Sequence, residues 1–274
     1  MTKPSHDSAF TQNVAQFYEA SLVPLIFEPY AEDLAERACA CAPEVLLEVA
    51  CGTGVVTRAL AKSLPATTSI TASDLNLAML EHAQSIGTEQ RVTWRQANVM
   101  ELPFDDHSMD LVVCQFAIMF FPDRVAAYLE IRRVLRPGGK FLFNVWNDIE
   151  RNEFASVITS ALGELYSEDP PLFLARTPHA HGHPGEIESD LAAAGFEGWS
   201  FHQKEEQSVA SSARAAAIAY CHGTPLRGEI EARDPGGLER ATDHTMNALQ
   251  ARFGEGTIRA KISAVVAQAR KPLS

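Results

Sequence analysis

In the stretch "LLEVACGTG" (residues 46–54) an apolar run passes directly into Glu48, Cys51 and two glycines one residue apart. Such a run reads as a buried parallel strand, and Gly52 and Gly54 at its exit let a ligand approach backbone where a Cβ would collide. Twenty residues past Gly54 a second run, "SITASD", ends in Asp74. A carboxylate at a strand tip can accept hydrogen bonds from both hydroxyls of a ribose, which is the chemistry of a nucleotide pocket. The competing reading of Asp74 is a cap on the helix that begins at Asn76.

These groups work together only if their strands lie side by side. Between residues 45 and 146 the pattern alternates: "VLLEVA" strand, "VVTRALAKSL" helix, "SITASD" strand, "NLAMLEHAQSI" helix, "RVTWRQAN" strand, "MDLVVCQF" strand. A helix from Pro122 to about Arg136 follows, with Val125, Tyr128, Leu129 and Leu135 on its apolar side. "RPGG" then turns the chain into the strand "KFLFNVW". Repeated strand–helix units imply a parallel sheet with helices on both faces, and such sheets bind ligands at the carboxyl ends of their strands. The third strand ends near Asn98 and the fourth at Gln115 and Phe116, so four tips converge on one mouth.

Residues 1–42 read as a helical cap closed by Pro43, and 43–149 as the core. Residues 150–185, with "SEDPPLFLARTPHAHGHPG", read as an irregular insertion suited to a lid or pocket wall. "GEIESDLAAAGF" reads as a helix and "EGWSFHQKEEQSVA" as a strand. Residues 211–253 form a second, helical insertion broken at "DPGG", and "TIRAKISAVVAQARK" supplies a last strand. The expectation is one α/β domain: a Rossmann-like three-layer sandwich around a mostly parallel seven-stranded sheet, with helical lid insertions.

Composition narrows the partners. The chain has 274 residues, 46% hydrophobic and 21% charged, and a net charge of −12 that repels a polyphosphate backbone. Arg132, Arg133 and Arg136 read as one solvated helix face rather than a nucleic-acid patch. The five cysteines (Cys39, Cys41, Cys51, Cys114, Cys221) are odd in number and lack C-x-x-C spacing, which fits a reducing cytoplasm. "MTKPSHDSAFTQNVAQF" has no apolar segment of signal-peptide length, and "LVVCQFAIMFF" is far short of the roughly 20 residues of a spanning helix. The expected protein is soluble and cytoplasmic, a monomer or homodimer, without nucleic-acid partner or membrane insertion.

Four ordered stretches, "LLEVACGTGVVT", "ITASDLNLAMLEHA", "RQANVMELPFDDHSMDLVVCQFAIMFFPD" and "EIRRVLRPGGKFLFNVW", resemble the class I S-adenosylmethionine-dependent methyltransferases. The similarity is greatest to the bacterial group that includes the ubiquinone and menaquinone C-methyltransferases, and it spans roughly residues 45–146. It implies S-adenosyl-L-methionine as cofactor, S-adenosyl-L-homocysteine as product and a small-molecule acceptor. By that resemblance Glu48, Ala50, Gly52 and Gly54 line the methionine end and Asp74 takes the ribose. Leu75 and Met79 pack on the base, Asn98 and Val99 border the adenine, and Gln115 and Phe116 close the floor. Two positions depart from the pattern. Ala50 stands where the family turn begins with glycine, which is tolerable at negative φ. Asn98 stands where aspartate is common, and its carbonyl can still accept from the adenine amino group.

A dinucleotide-binding oxidoreductase would place a third glycine three residues after Gly54, where this chain has Thr57. A protein that binds the cofactor without chemistry is the other alternative. Cys51 reads as a small buried filler of the turn. His179, His181 and His183 alternate in "PHAHGHPG" but lack a recognisable zinc spacing, so no metal is expected; one of them facing the acceptor would suit a general base. No catalytic residue is assigned beyond these histidines and Tyr18, which with Tyr30 and Phe120 could wall the sulfonium.

Overall fold

The computed structural model describes residues 12–88 and 92–273. Along the chain run α1 (Gln12–Ser21), a π-helical turn (Val23–Phe27), α2 (Glu28–Cys41), β1 (Val45–Val49), α3 (Val55–Ser63), β2 (Ser69–Asp74), α4 (Leu77–Ile86), β3 (Val92–Gln96) and β4 (Met109–Gln115). There follow α5 (Arg124–Val134), β5 (Leu135–Trp146), α6 (Glu153–Leu165), α7 (Phe173–Arg176), α8 (Pro184–Ala193), β6 (Glu197–Ala210), α9 (Ala213–Gly223), α10 (Leu226–Arg233), α11 (Leu238–Phe253) and β7 (Ile258–Arg270). The seven strands form one sheet in the order β3-β2-β1-β4-β5-β7-β6. Only β7 is antiparallel to its neighbours β5 and β6. This is the expected mostly parallel α/β sandwich.

The core follows from a period of two. Leu46, Leu111, Val113 and Leu142 pack on one face against Leu34, Ala35, Val56 and Leu60 of α2 and α3. Leu47, Val112, Phe141 and Phe143 point to the other face and meet Tyr128 and Ile131 of α5. Burial on both sides explains why these strands read as unbroken apolar runs. Between β1 and β4 the chain reverses order, and the crevice at their carboxyl ends is where such sheets hold ligands.

Three expectations change. First, α5 starts two residues after Pro122, with Asp123 as cap accepting from the Ala126 amide at 2.9 Å; its buried side is Ala127, Tyr128, Ile131 and Val134, and Leu129 faces solvent. Second, the arginines are stitches rather than a solvated face. Arg133 pairs with Glu130 and Asp106 and donates to the carbonyls of Leu102 and Phe104, Arg136 pairs with Asp110, and Arg132 donates to the Gly195 carbonyl. Third, the insertion at 150–185 is irregular only in part. Residues 153–165 form α6, which buries Phe154, Ala155, Ile158, Ala161 and Leu162 at helical spacing.

Candidate functional site

The glycine turn is held from three directions. The Cys51 amide donates to the Ser73 carbonyl at 2.9 Å, the Gly54 amide to the Cys51 carbonyl at 2.9 Å, and the Gly52 amide to Asp74 Oδ2 at 2.8 Å. Gly52 has φ +55°, and a Cβ there would meet nothing within 4 Å, so this backbone faces open space. Gly54 (φ +82°) serves packing: a Cβ would approach Ala83 and Trp94 at 3.1 Å. Cys51 packs with Ala72 and Leu80, and burial holds its thiol well above the usual range.

Ala50 has φ +53°, contrary to the expectation of negative φ. An L-residue there costs about 1–2 kcal/mol. Ala50→Gly should therefore raise stability by roughly 0.5–1 kcal/mol, a Tm gain of about 1–4 °C, because the strain relieved outweighs the added chain entropy. A thermal melt that falls instead would show that the backbone here is unstrained.

Asp74 ends β2, and its carboxylate is shared between backbone donors: Oδ2 takes Gly52 and Oδ1 takes the Asn76 amide at 2.7 Å. The cap of α4 is Asn76, whose side chain accepts from the amides of Ala78 and Met79. Burial raises the Asp74 pKa, and the bonds from Asn76, Gly52 and Leu75 oppose the rise. Leu75 beside it is 60% exposed, a large apolar side chain presented at the mouth, while Met79 is buried. Asn98 is exposed at the end of the third strand and accepts from the Met100 amide at 3.0 Å, and Val99 packs partly on the core.

Glu48 is 1% exposed, and Thr57 donates to its Oε2 at 2.5 Å. Burial pushes its pKa up to about 8; Asp74 adds to the rise, while the Thr57 hydroxyl and Arg58 oppose it. Thr57 thus does more than break a glycine pattern, because it satisfies the acid beneath the turn.

At the tip of β4, Gln115 donates to the Phe27 carbonyl and accepts from Asn144, each at 3.2 Å. Phe116 adopts φ +49°, its amide held by the Asn144 Oδ1 at 3.0 Å. Its ring stacks on Trp146 with centroids 3.7 Å apart and planes 3° apart, and Tyr30 stands edge-on to both. Aromatic pairs usually sit farther apart or more offset, so these two rings are closely packed. Tyr30 turns its hydroxyl to the Lys204 carbonyl, at 3.3 Å. Tyr18 stacks on Phe27 and lies near enough to Asp74 for that carboxylate, after burial, to raise its phenol pKa. Phe120 stands beside Phe173 of α7.

The three histidines occupy separate positions. His179 is buried with Nδ1 2.9 Å from the Asn147 carbonyl, and burial pushes its pKa down to about 4. His181 meets Arg124, which pairs with Asp190. His183 caps α8, accepting from the Gly185 amide at 3.2 Å. Among the described residues no group of His, Cys, Asp and Glu gathers as a metal site, and no helix is long and apolar enough to cross a membrane.

Sequence reasoning missed Arg58, Glu19, Asn144 and Trp146. Arg58 donates to the Thr53 carbonyl at 2.7 Å and to Glu19 at 2.5 Å, tying α1 to the turn. Its place one helical turn past Gly54 was the available signal. Two buried polar atoms, Thr53 Oγ1 in the turn and Glu19 Oε2 on α1, have no hydrogen-bond partner among the described residues. With the open space at Gly52 and the exposed Leu75, they fit a ligand that has both a polar end and a flat apolar base.

Comparison with known proteins agrees. Residues 47–143 match the family described as "Methyltransferase domain". The demethylmenaquinone methyltransferase of Lactiplantibacillus plantarum is 42% identical over 101 residues, 35% of this chain and 43% of that protein. The ubiquinone/menaquinone biosynthesis C-methyltransferase UbiE of Psychromonas ingrahamii is 28% identical over 166 residues, 56% of this chain and 66% of that protein. The chain thus spans less than two thirds of these relatives. Phosphoethanolamine N-methyltransferase 2 of Haemonchus contortus, solved with S-adenosyl-L-methionine, shares the fold with TM-score 0.59 and 18% identity, covering 98% of this chain and 60% of its own. Residues 47–143 thus match a methyltransferase domain in sequence, and the chain shares the fold of a solved methyltransferase.

Proposed function

We propose that this chain binds S-adenosyl-L-methionine at the tips of β1, β2 and β4 and transfers its methyl group to a small-molecule acceptor. The observation that carries the reading is Gly52, whose amide is fixed by Asp74 while the space a Cβ would enter stands open. Asp74 would exchange its backbone partners in part for ribose hydroxyls, and Leu75 would cover the base. When bound, the cofactor supplies an electrophilic methyl on sulfur. The chain's own contribution is to hold the acceptor in line and keep water out, which accelerates such transfers without a dedicated base. The Phe116, Trp146, Tyr30 and Phe27 rings pack together as a buried apolar cluster beside the tip of β4, which would help to keep water from the transfer.

Burial keeps His179 neutral at physiological pH, and the neighbouring rings are apolar, so a neutral acceptor with an apolar ring suits this region. The two sequence relatives are named for demethylmenaquinone and for ubiquinone/menaquinone biosynthesis, which makes a ring of quinone type the first to try. The test is incubation of metabolite extracts and reduced quinones with protein and methyl-labelled cofactor, followed by mass spectrometry. A labelled product is expected. Gly52→Val should abolish it, because a branched residue combines strain at φ +55° with obstruction of the open space. Cofactor binding without any labelled product would support the binding-only alternative, and full activity in Gly52→Val would displace the site.

A further inference from the structure

We propose that Glu19 of α1 receives the ammonium group at the amino-acid end of the cofactor, an inference that rests on the methyl-donor reading of the site. Glu19 spends Oε1 on Arg58 Nη2, at 2.5 Å. Its other oxygen, Oε2, is closed off from solvent and without a hydrogen-bond partner among the described residues. Leaving a buried acceptor unpaired is costly, and such an atom in a folded protein calls for an explanation. Arg58 Nη1 reaches the Thr53 carbonyl at 2.7 Å, so Glu19 stands one guanidinium away from the glycine turn. Thr53 Oγ1 is a second orphaned acceptor, and Gly52 next to it faces open space.

Helix α1, which carries Glu19, packs against α4, the helix that follows the tip of β2, and reaches the turn after β1 through Arg58. An ammonium offers three donors and accepts nothing. Glu19 Oε2 and Thr53 Oγ1 provide acceptors for it, while Arg58 offsets the Glu19 charge before the ligand arrives. An ion pair whose anion keeps a spare oxygen is the complement of a zwitterion, and a bare nucleoside would leave that oxygen unanswered.

The experiment is a binding cycle by calorimetry with S-adenosylhomocysteine and its deamino analogue, in which hydrogen replaces the amino group. The unaltered protein should prefer the amino form by about tenfold or more. Glu19→Gln should reduce that preference to within about twofold while leaving the deamino analogue's affinity unchanged, because the carboxamide still accepts from Arg58 but carries no charge for the ammonium. Glu19→Asp, shorter by one methylene, should lose affinity for the amino form only. Melting curves check that each variant folds. Equal weakening of both ligands would make Glu19 a mere fastener of α1, and an intact preference would remove it from the amine; either result overturns the proposal. If the unaltered protein binds neither ligand, the methyl-donor reading itself fails, an outcome distinct from both.

Discussion

Replacing Glu48 with glutamine should stabilise the ligand-free protein at pH 9 by several kcal/mol, with 5 as a rough ceiling, while leaving it nearly unchanged at pH 5. The carboxyl is buried beneath the glycine turn and its pKa is pushed up from 4.5 to about 8. A group that holds its proton more tightly when folded favours the fold at low pH and penalises it as pH rises. Below 4.5 both states are protonated and the effect is absent; it accumulates between 4.5 and 8 and is constant above. Glutamine is nearly isosteric and can still accept from the Thr57 hydroxyl, so it removes the penalty without opening a cavity. Urea denaturation of both proteins from pH 5 to pH 9 checks this, and parallel curves would show that Glu48 is not the buried acid described. The same change should weaken a cationic ligand. On the proposed function, wild-type affinity for S-adenosylmethionine rises between pH 6 and 8.5 as binding drives the proton off, and the variant loses this slope. An acid this costly in the free protein is understandable as part of a site that awaits positive charge.

Why part of this site could be read from the chain and part could not follows from how each residue is fixed. Gly52, Asp74 and Gln115 lie at strand tips, and apolar runs that stop abruptly disclose a tip without knowledge of the rest of the fold. The fold class came from the same signal, since alternating strand and helix leaves few arrangements. Ala50 gave no warning of φ +53°, because the left-handed turn is imposed by the bonds to Ser73 and Asp74 rather than by the residue itself. Glu19 lies 39 residues before Arg58, and nothing local marks a pair formed only when α1 folds back. The alternation of His179, His181 and His183 suggested a common purpose, yet Asn147, Arg124 and Gly185 draw the three in different directions. Helical periodicity in "EFASVITSALGEL" marks α6, whereas the proline-rich and histidine-rich residues after it carry no period that announces the four-residue α7.

Asp74→Ala should impair both binding and folding. The loss of ribose hydrogen bonds to a charged acceptor predicts weaker cofactor affinity by roughly 1.5–3 kcal/mol, about 10- to 150-fold. Folding suffers too, because the Gly52 and Asn76 amides, at 2.8 and 2.7 Å, both depend on the carboxylate. Removing it orphans two donors at a partly buried turn and should cost about 1–3 kcal/mol in stability, less whatever is recovered by discarding an acid that burial already disfavours. Asp74→Asn separates the two effects. Its single carbonyl can keep one of the amides, so stability should fall by less than in the alanine variant. Affinity should still drop, since a neutral amide accepts more weakly and presents a donor where the second hydroxyl expects an acceptor. Calorimetry with S-adenosylhomocysteine and urea denaturation of the same samples report the two quantities independently. Unchanged affinity in both variants would exclude Asp74 from the ribose, whereas weak binding with undiminished stability would mean that the carboxylate does not brace the turn.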